Sequence, residues 1–242
     1  MTRVGARVLI AALLSGCSSL GPNDAGVSSL ELRLPVCGGI ELGSTVDLDA
    51  RTFDENGDSV EAGVFWQTPD PTAIDLDGET GLATGLVITD TARVQAIVGS
   101  DDPIISDLVS LVVTPFADTL IRSSTARVTV DSNATDSGPI SVTVSQKDPA
   151  APVKAFPLRY RVIEPVFAAP EDRTVEFPGG TLSMVACSGP TGTPQAQTQL
   201  RRRADRVQPD SAIVEVSALH ADGSAVPGSG HLFIILFKPV QP

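Results

Sequence analysis

Thr45 to Asp58 reads T-V-D-L-D-A-R-T-F-D-E-N-G-D, and this stretch decides the fold class. Val46, Leu48 and Ala50 alternate with Asp47, Asp49 and Arg51, so one face of an extended chain is apolar and the other charged. Side chains alternate across a strand with period two, and the pattern predicts a half-buried strand with its acids in water. Asn56-Gly57 then predicts a tight turn, because Gly and Asn accept the positive φ that turns require.

The same grammar runs outward in both directions. Val27 to Leu34, Val60 to Gln67, Ala73 to Leu76, Leu82 to Val87, Ala92 to Val98 and Ile105 to Thr114 read as further strands, with Gly38-Gly39 as a turn. Beyond residue 116, Ala117 to Asp131 supplies one or two strands. Ile140 to Gln146, Leu158 to Ile163, Thr181 to Ala186 and Gln195 to Arg202 follow, around a proline-rich loop from Pro165 to Gly180. Ser211 to Ala218 and His231 to Phe237 read as a closing hairpin. Outside the first residues, no stretch longer than a dozen carries a helical apolar period. The expectation is all-β, as two tandem sandwiches. The longest apolar run of the later chain, Leu232 to Phe237, suits a buried strand and is too short to span a bilayer as a helix.

Charge divides the chain near residue 115. From Ser18 to Pro115 there are three arginines and seventeen acids, a net of −14. From Phe116 onward twelve basic residues balance twelve acids. An acidic first half argues against nucleic acid or anionic lipid as its partner. Solubility explains the excess without a ligand.

The N-terminus carries a different signal. M-T-R-V-G-A-R-V-L-I-A-A-L-L-S-G-C combines Arg3 and Arg7, the apolar run Val8 to Leu14, and small residues leading into Cys17. This is the layout of a secretory signal. Its L-S-G-C ending resembles the lipobox of bacterial lipoproteins, which implies cleavage after residue 16 and acylation of Cys17. Ser18 after that cysteine implies the outer membrane under the sorting rule of double-membraned bacteria. The expected organisation is a signal peptide at 1–16, a tether at 17–26, a first sandwich at 27–115 and a second at 116–242. With Cys17 lipidated, Cys37 and Cys187 remain as an even pair in an oxidising compartment. Two readings stay open for them, a bridge between the halves or two thiols, buried or idle.

V-D-L-D-A-R-T-F-D-E-N-G-D, then V-F-W-Q-T-P-D-P-T-A-I-D-L-D-G-E-T-G-L-A-T-G, then A-R-V-Q-A-I-V and the closing S-L-V-V-T-P resemble the group 2 bacterial Ig-like domain over about residues 27–115. The departure is Leu86-Val87-Ile88, where that family has a small, Gly-containing turn. The second half is similar, more loosely, to Ig-like modules of the invasin and intimin type.

Candidate chemistry is sparse. Asp54, Asn56 and Asp58 have the alternate spacing of a calcium loop, yet Ser59 stands where such a loop wants glycine and Phe65 where it wants an acid. Turn formation accounts for these residues, and the clusters Asp75, Asp77, Glu79 and Asp101, Asp102 read the same way. His220 and His231 are the only histidines, with no nucleophile elbow, HExxH, CxxC or phosphate-binding loop, so the chain reads as non-catalytic and without a cofactor. Arg201-Arg202-Arg203 with Arg206 is either a docking patch or a solvated turn, with alternation sending Arg202 to the face opposite Arg201 and Arg203. Trp66 is either a sugar platform or core, and core packing is preferred. Asn133-Ala134-Thr135 matches a glycosylation sequon, incidental in a bacterial lipoprotein. The functional expectation is a non-catalytic, lipid-anchored envelope protein that presents Ig-like modules for adhesion to a protein or polysaccharide. The alternatives are a periplasmic accessory subunit and a carbohydrate-binding module.

Overall fold

The computed structural model describes residues 26–100, 102–189, 195–203, 206–207 and 209–238. The signal segment 1–16, Cys17 with the tether as far as residue 25, and Asp101 lie outside the described residues. The fold is all-β, two sandwiches in tandem, each around its own apolar core.

In the first sandwich, Ser29–Arg33, Asp49–Phe53 and Ser59–Val60 form one antiparallel layer. Facing it, Thr89–Val98 pairs antiparallel with Val64–Gln67, Ile104–Ile105 and Val109–Thr114. A small third sheet joins Thr45–Asp47, Leu82–Gly85 and Ile74–Leu76. The stretch Thr45 to Phe53, read from sequence as one strand, is two strands in two sheets. Leu48 is the pivot, because its side chain is buried and its N–H donates to the Gly81 carbonyl at 3.1 Å. The alternation itself survives, as Val46, Leu48 and Ala50 all reach the core. Trp66 lies in that core, 5% exposed. A side chain at Gly81, where φ is +77°, would put a Cβ 2.7 Å from the indole nitrogen, so this glycine makes room for the tryptophan.

Other strand expectations need correction as well. Val60 to Gln67 divides into Ser59–Val60, paired to Asp49–Phe53, and Val64–Gln67, paired to Thr89–Val98. Gly38-Gly39 does not simply turn the chain, because Gly39–Glu41 is a strand that runs parallel to Val112–Thr114. Gln195 to Arg202 divides into Gln195–Thr198, which joins Ile140–Gln146, and Arg201–Arg202, which joins Val175–Glu176. Ile105 to Thr114 divides into Ile104–Ile105 and Val109–Thr114, both paired to Thr89–Val98.

The second sandwich sets Thr119–Arg122, Ile140–Gln146, Ala151–Pro152 and Gln195–Thr198 against a five-stranded sheet. That sheet runs Arg127–Val130, His231–Phe237, Ser211–Ala218, Pro157–Glu164, Ser183–Cys187. Leu158, Tyr160, Val214, Val216, Phe233 and Ile235 from the five-stranded sheet meet Ile140, Val142 and Val144 from the other. Burial pushes the Tyr160 phenol upward, and its hydroxyl donates to the Ala196 carbonyl at 2.9 Å, which satisfies it.

Candidate functional site: the junction of the two sandwiches

Only residues 115–118 separate the last strand of the first sandwich from the first strand of the second. A linker this short leaves the two bodies close, and what matters is how they are joined. The first attachment starts at Val36–Gly38, a 3-10 turn directly before Gly39–Glu41. Cys37 in this turn is bonded to Cys187 at the end of Ser183–Cys187, with Cα atoms 5.5 Å apart and a separation of 150 positions in the chain. Ser188 then clasps the segment before Pro157–Glu164. Its hydroxyl accepts the Phe156 N–H at 3.0 Å, and its carbonyl accepts the Ala155 N–H at 3.0 Å.

Gly39 lies directly against Ala155. A Cβ built on Gly39 would fall 2.2 Å from the Ala155 carbonyl oxygen, so only glycine permits this backbone approach between the sandwiches. Cys37 at φ +73° and Ala155 at φ +51° are the positive-φ non-glycine residues among those described, and both sit at this junction. Left-handed backbone costs a non-glycine residue about 1–3 kcal/mol and persists where surrounding structure over-determines it. The junction is therefore built, and built against local preference.

The second attachment is polar. Glu41 is 5% exposed, and its Oε1 accepts the Ala117 N–H at 2.7 Å. Nδ1 of His220, carried on the turn after Ser211–Ala218, lies 3.0 Å from Oε1 and 2.9 Å from Oε2. The imidazole stacks on Phe116, with ring centroids 4.5 Å apart, and meets the edge of Phe156. Lys154 adds a third link. Its N–H donates to Thr114 Oγ1 at 2.9 Å, and its ammonium pairs with Asp90 at 3.0 Å. Glu41, Ala117 and His220 come together from three distant parts of the chain, a convergence the sequence reading missed. The only sequence signal was an acid, Glu41, between the apolar neighbours Ile40 and Leu42.

A carboxylate oriented on a histidine is the base-orienting half of a catalytic triad. Among the described residues, however, both side-chain hydrogen bonds of His220 go to Glu41, and no hydroxyl or thiol is bonded to its other nitrogen. A hollow of about 290 Å³ beside it is lined by Ser44, Thr45, Phe116, Ala221 and Asp222. Asp222 is engaged elsewhere, since the hydroxyl and N–H of Ser224 bond its carboxylate and hold it below the usual range. The arrangement joins two bodies and positions no nucleophile.

The other candidate residues fall away from this site. Asp54 Oδ1 accepts the N–H groups of Asn56 and Asp58, and Asp77 Oδ1 those of Glu79 and Thr80. Both carboxylates are spent on their own turns, and among the described residues no group of His, Cys, Asp and Glu is placed to hold a metal. His231 Nε2 is 3.0 Å from the Leu120 carbonyl and serves packing. The arginine run is not a uniform patch. Arg201 pairs with Asp136 at 2.8 Å, while Arg202 is 8% exposed and donates to the Ser132 carbonyl.

No family model matches the chain, and no curated protein sequence matches it. Among solved structures it is similar to domains 4 and 5 of the S-layer protein SbsC, at 13% identity over 88% of this chain and 99% of that one, TM-score 0.30. It is similar to a domain segment of intimin at 14% identity over 86% and 99%, TM-score 0.32. It is also similar to fibronectin(III)-like modules of Clostridium thermocellum CbhA, at 16% identity over 87% and 95%, TM-score 0.33.

Proposed function

We propose that this chain is a non-catalytic, lipid-anchored protein of the cell envelope, held at the outer membrane through Cys17, that presents its two sandwiches as one stiff module for adhesion to a protein or polysaccharide. The observation that carries this reading is the junction. A disulfide, a glycine-permitted backbone contact and a buried Glu41–His220 pair fix one sandwich on the other. Such a joint supports presentation at a fixed distance and orientation, which a hinged enzyme or a flexible scaffold does not need. The disulfide also supports an oxidising compartment. Against the carbohydrate-binding alternative stand Trp66 and Tyr160, each buried in a core and unable to stack on a sugar.

Two experiments test the reading. Palmitate labelling of the wild type and Cys17→Ala is expected to mark only the wild type, and equal labelling rejects the anchor. Protease shaving of whole cells is expected to remove the sandwiches, and full protection rejects display outward in favour of the periplasmic accessory role.

A further inference from the structure

Structural disulfides resist reduction, whereas exposed or strained ones are the labile ones that thiols reach and open. The bond between the two sandwiches has both marks of the labile kind. Cys187 is exposed at the end of Ser183–Cys187, an edge strand of the five-stranded sheet that is paired in it only to Pro157–Glu164. Cys37 is half-buried at φ +73°, left-handed backbone that a non-glycine residue keeps only while its surroundings hold it there.

The surface around the bond is shaped as well. Val36 directly precedes Cys37, Pro157 lies opposite Cys187 in the register, and Val185 stands two residues before it. Together with Arg159, Ser217 and Leu219 these residues line a shallow hollow of about 210 Å³. Val36, Val185 and Leu219 are 62%, 41% and 47% exposed, so the hollow offers apolar surface beside the sulfurs. Arg159 is exposed and pairs with no carboxylate among the described residues. A cation near a cysteine favours its thiolate, and the thiolate is the species that reacts.

We propose that Cys37–Cys187 is a reducible latch, opened by a protein dithiol of the Cys-x-x-Cys class that seats an apolar segment in this hollow, and that opening turns the stiff pair of sandwiches into a hinged one. The thiolate of the reductant attacks Sγ of the exposed Cys187. A new sulfur–sulfur bond forms there as the bond to Cys37 breaks, and the electron pair leaves on Cys37 Sγ, which takes up a proton. The second thiol of the reductant then displaces Cys187, so two electrons pass to this chain and the reductant ends as a disulfide. Once untied, Cys37 can leave its left-handed conformation, which favours the open form by about 5- to 150-fold. The Gly39–Ala155 contact, the Glu41–His220 pair and the Lys154–Asp90 pair are what remains of the joint. Bodies joined by interfaces that are neither large nor hydrophobic move relative to one another by default. The latch presupposes the stiff oxidised module proposed above and is independent of Cys17 and its anchor.

Treating the purified, oxidised protein with thioredoxin in the absence of denaturant, followed by alkylation and mass mapping, tests this. Cys37 and Cys187 are expected to become alkylated much faster than the chain unfolds globally. Small-angle X-ray scattering is expected to change from one rigid body to two hinged ones, while circular dichroism shows both still folded. Thioredoxin whose second active-site cysteine is replaced by serine is expected to be trapped on Cys187. Val36→Ala with Leu219→Ala removes apolar surface from the hollow and is expected to slow reduction by thioredoxin about tenfold. The same double variant is expected to keep the wild-type rate with dithiothreitol, which needs no seat. Reduction no faster than global unfolding, trapping on Cys37, a double variant that thioredoxin reduces at the wild-type rate, or reduced protein that scatters like the oxidised form each overturn the proposal. Oxidised protein that is already hinged refutes the stiff module itself, and the latch with it.

Discussion

Glu41 and His220 lie 179 residues apart in the chain and meet with both carboxylate oxygens within 3.0 Å of one imidazole nitrogen. Their side chains are 5% and 7% exposed, so neither finds water as a substitute partner. Glu41 also accepts the Ala117 N–H, and one carboxylate therefore serves two groups of the second sandwich. Glu41→Ala leaves the buried imidazole and the amide unpartnered together, and is expected to lower stability by about 3 kcal/mol. Denaturant unfolding measures this. Glu41→Gln keeps an acceptor for Ala117 and is expected to lose less.

The disulfide closes a loop of 150 residues across both cores. In the chain-entropy account, loops of this size stabilise the folded state by about 5 kcal/mol relative to the open chain. The larger consequence is coupling. Each sandwich has its own apolar core, so each can unfold alone once the tie is cut. Cys37→Ser with Cys187→Ser is expected to split one thermal transition into two, measured by calorimetry under non-reducing conditions. A single, unshifted transition in the variant contradicts the coupling.

How much of this was legible in the residues differs between the fold and the site. Period-two alternation around Val46, Leu48 and Ala50, and the Asn56-Gly57 turn, were enough to read strands and an all-β class, because burial on a pleated sheet repeats every second residue. Alternation could not reveal that Leu48 is a pivot between sheets, since both halves keep the same inward side. The short strands Gly39–Glu41 and Arg201–Arg202 carry too few residues to show any period. The junction was harder to see. Gly39 fits Ala155 through backbone atoms alone, and Glu41 is satisfied by residues 76 and 179 positions away. Sequence periodicity reports on neighbours within a strand, and such contacts between distant segments leave no local trace.

Acid sensitivity follows from the turn carboxylates. In Asp54 the Asp58 N–H, and in Asp77 the Thr80 N–H, is the main group holding the carboxyl below its ordinary 3.8. The hydrogen-bonded Arg93 guanidinium does the same for Asp70. A carboxyl whose pKa falls on folding adds stability above its unfolded value, and that contribution is lost as pH drops through the folded value. These groups therefore leave stability flat near neutrality and steepen its fall below about pH 4. Carboxyl-carbon NMR titration is expected to place all three midpoints under 3.8. Asp54→Asn is expected to flatten the acid limb of the unfolding curve.

Gly39→Ala tests whether the sandwiches are held in contact in solution. The added methyl would lie 2.2 Å from the Ala155 carbonyl oxygen and 3.0 Å from its carbon, both backbone atoms that cannot rotate away. Relief requires the two sandwiches to separate slightly, which strains the neighbouring disulfide and the Glu41–His220 pair in the same movement. Overpacking of this kind typically costs about 1–3 kcal/mol. Gly63→Ala is the matched control, because nothing lies within 4 Å of its added methyl and its backbone is not left-handed. There the smaller freedom of the unfolded chain is expected to leave stability unchanged or raise it by about 0.4–1 kcal/mol. Unfolding midpoints for the two variants give the comparison directly. Equal midpoints would mean that Gly39 does not touch the second sandwich in solution, and that the module is not stiff.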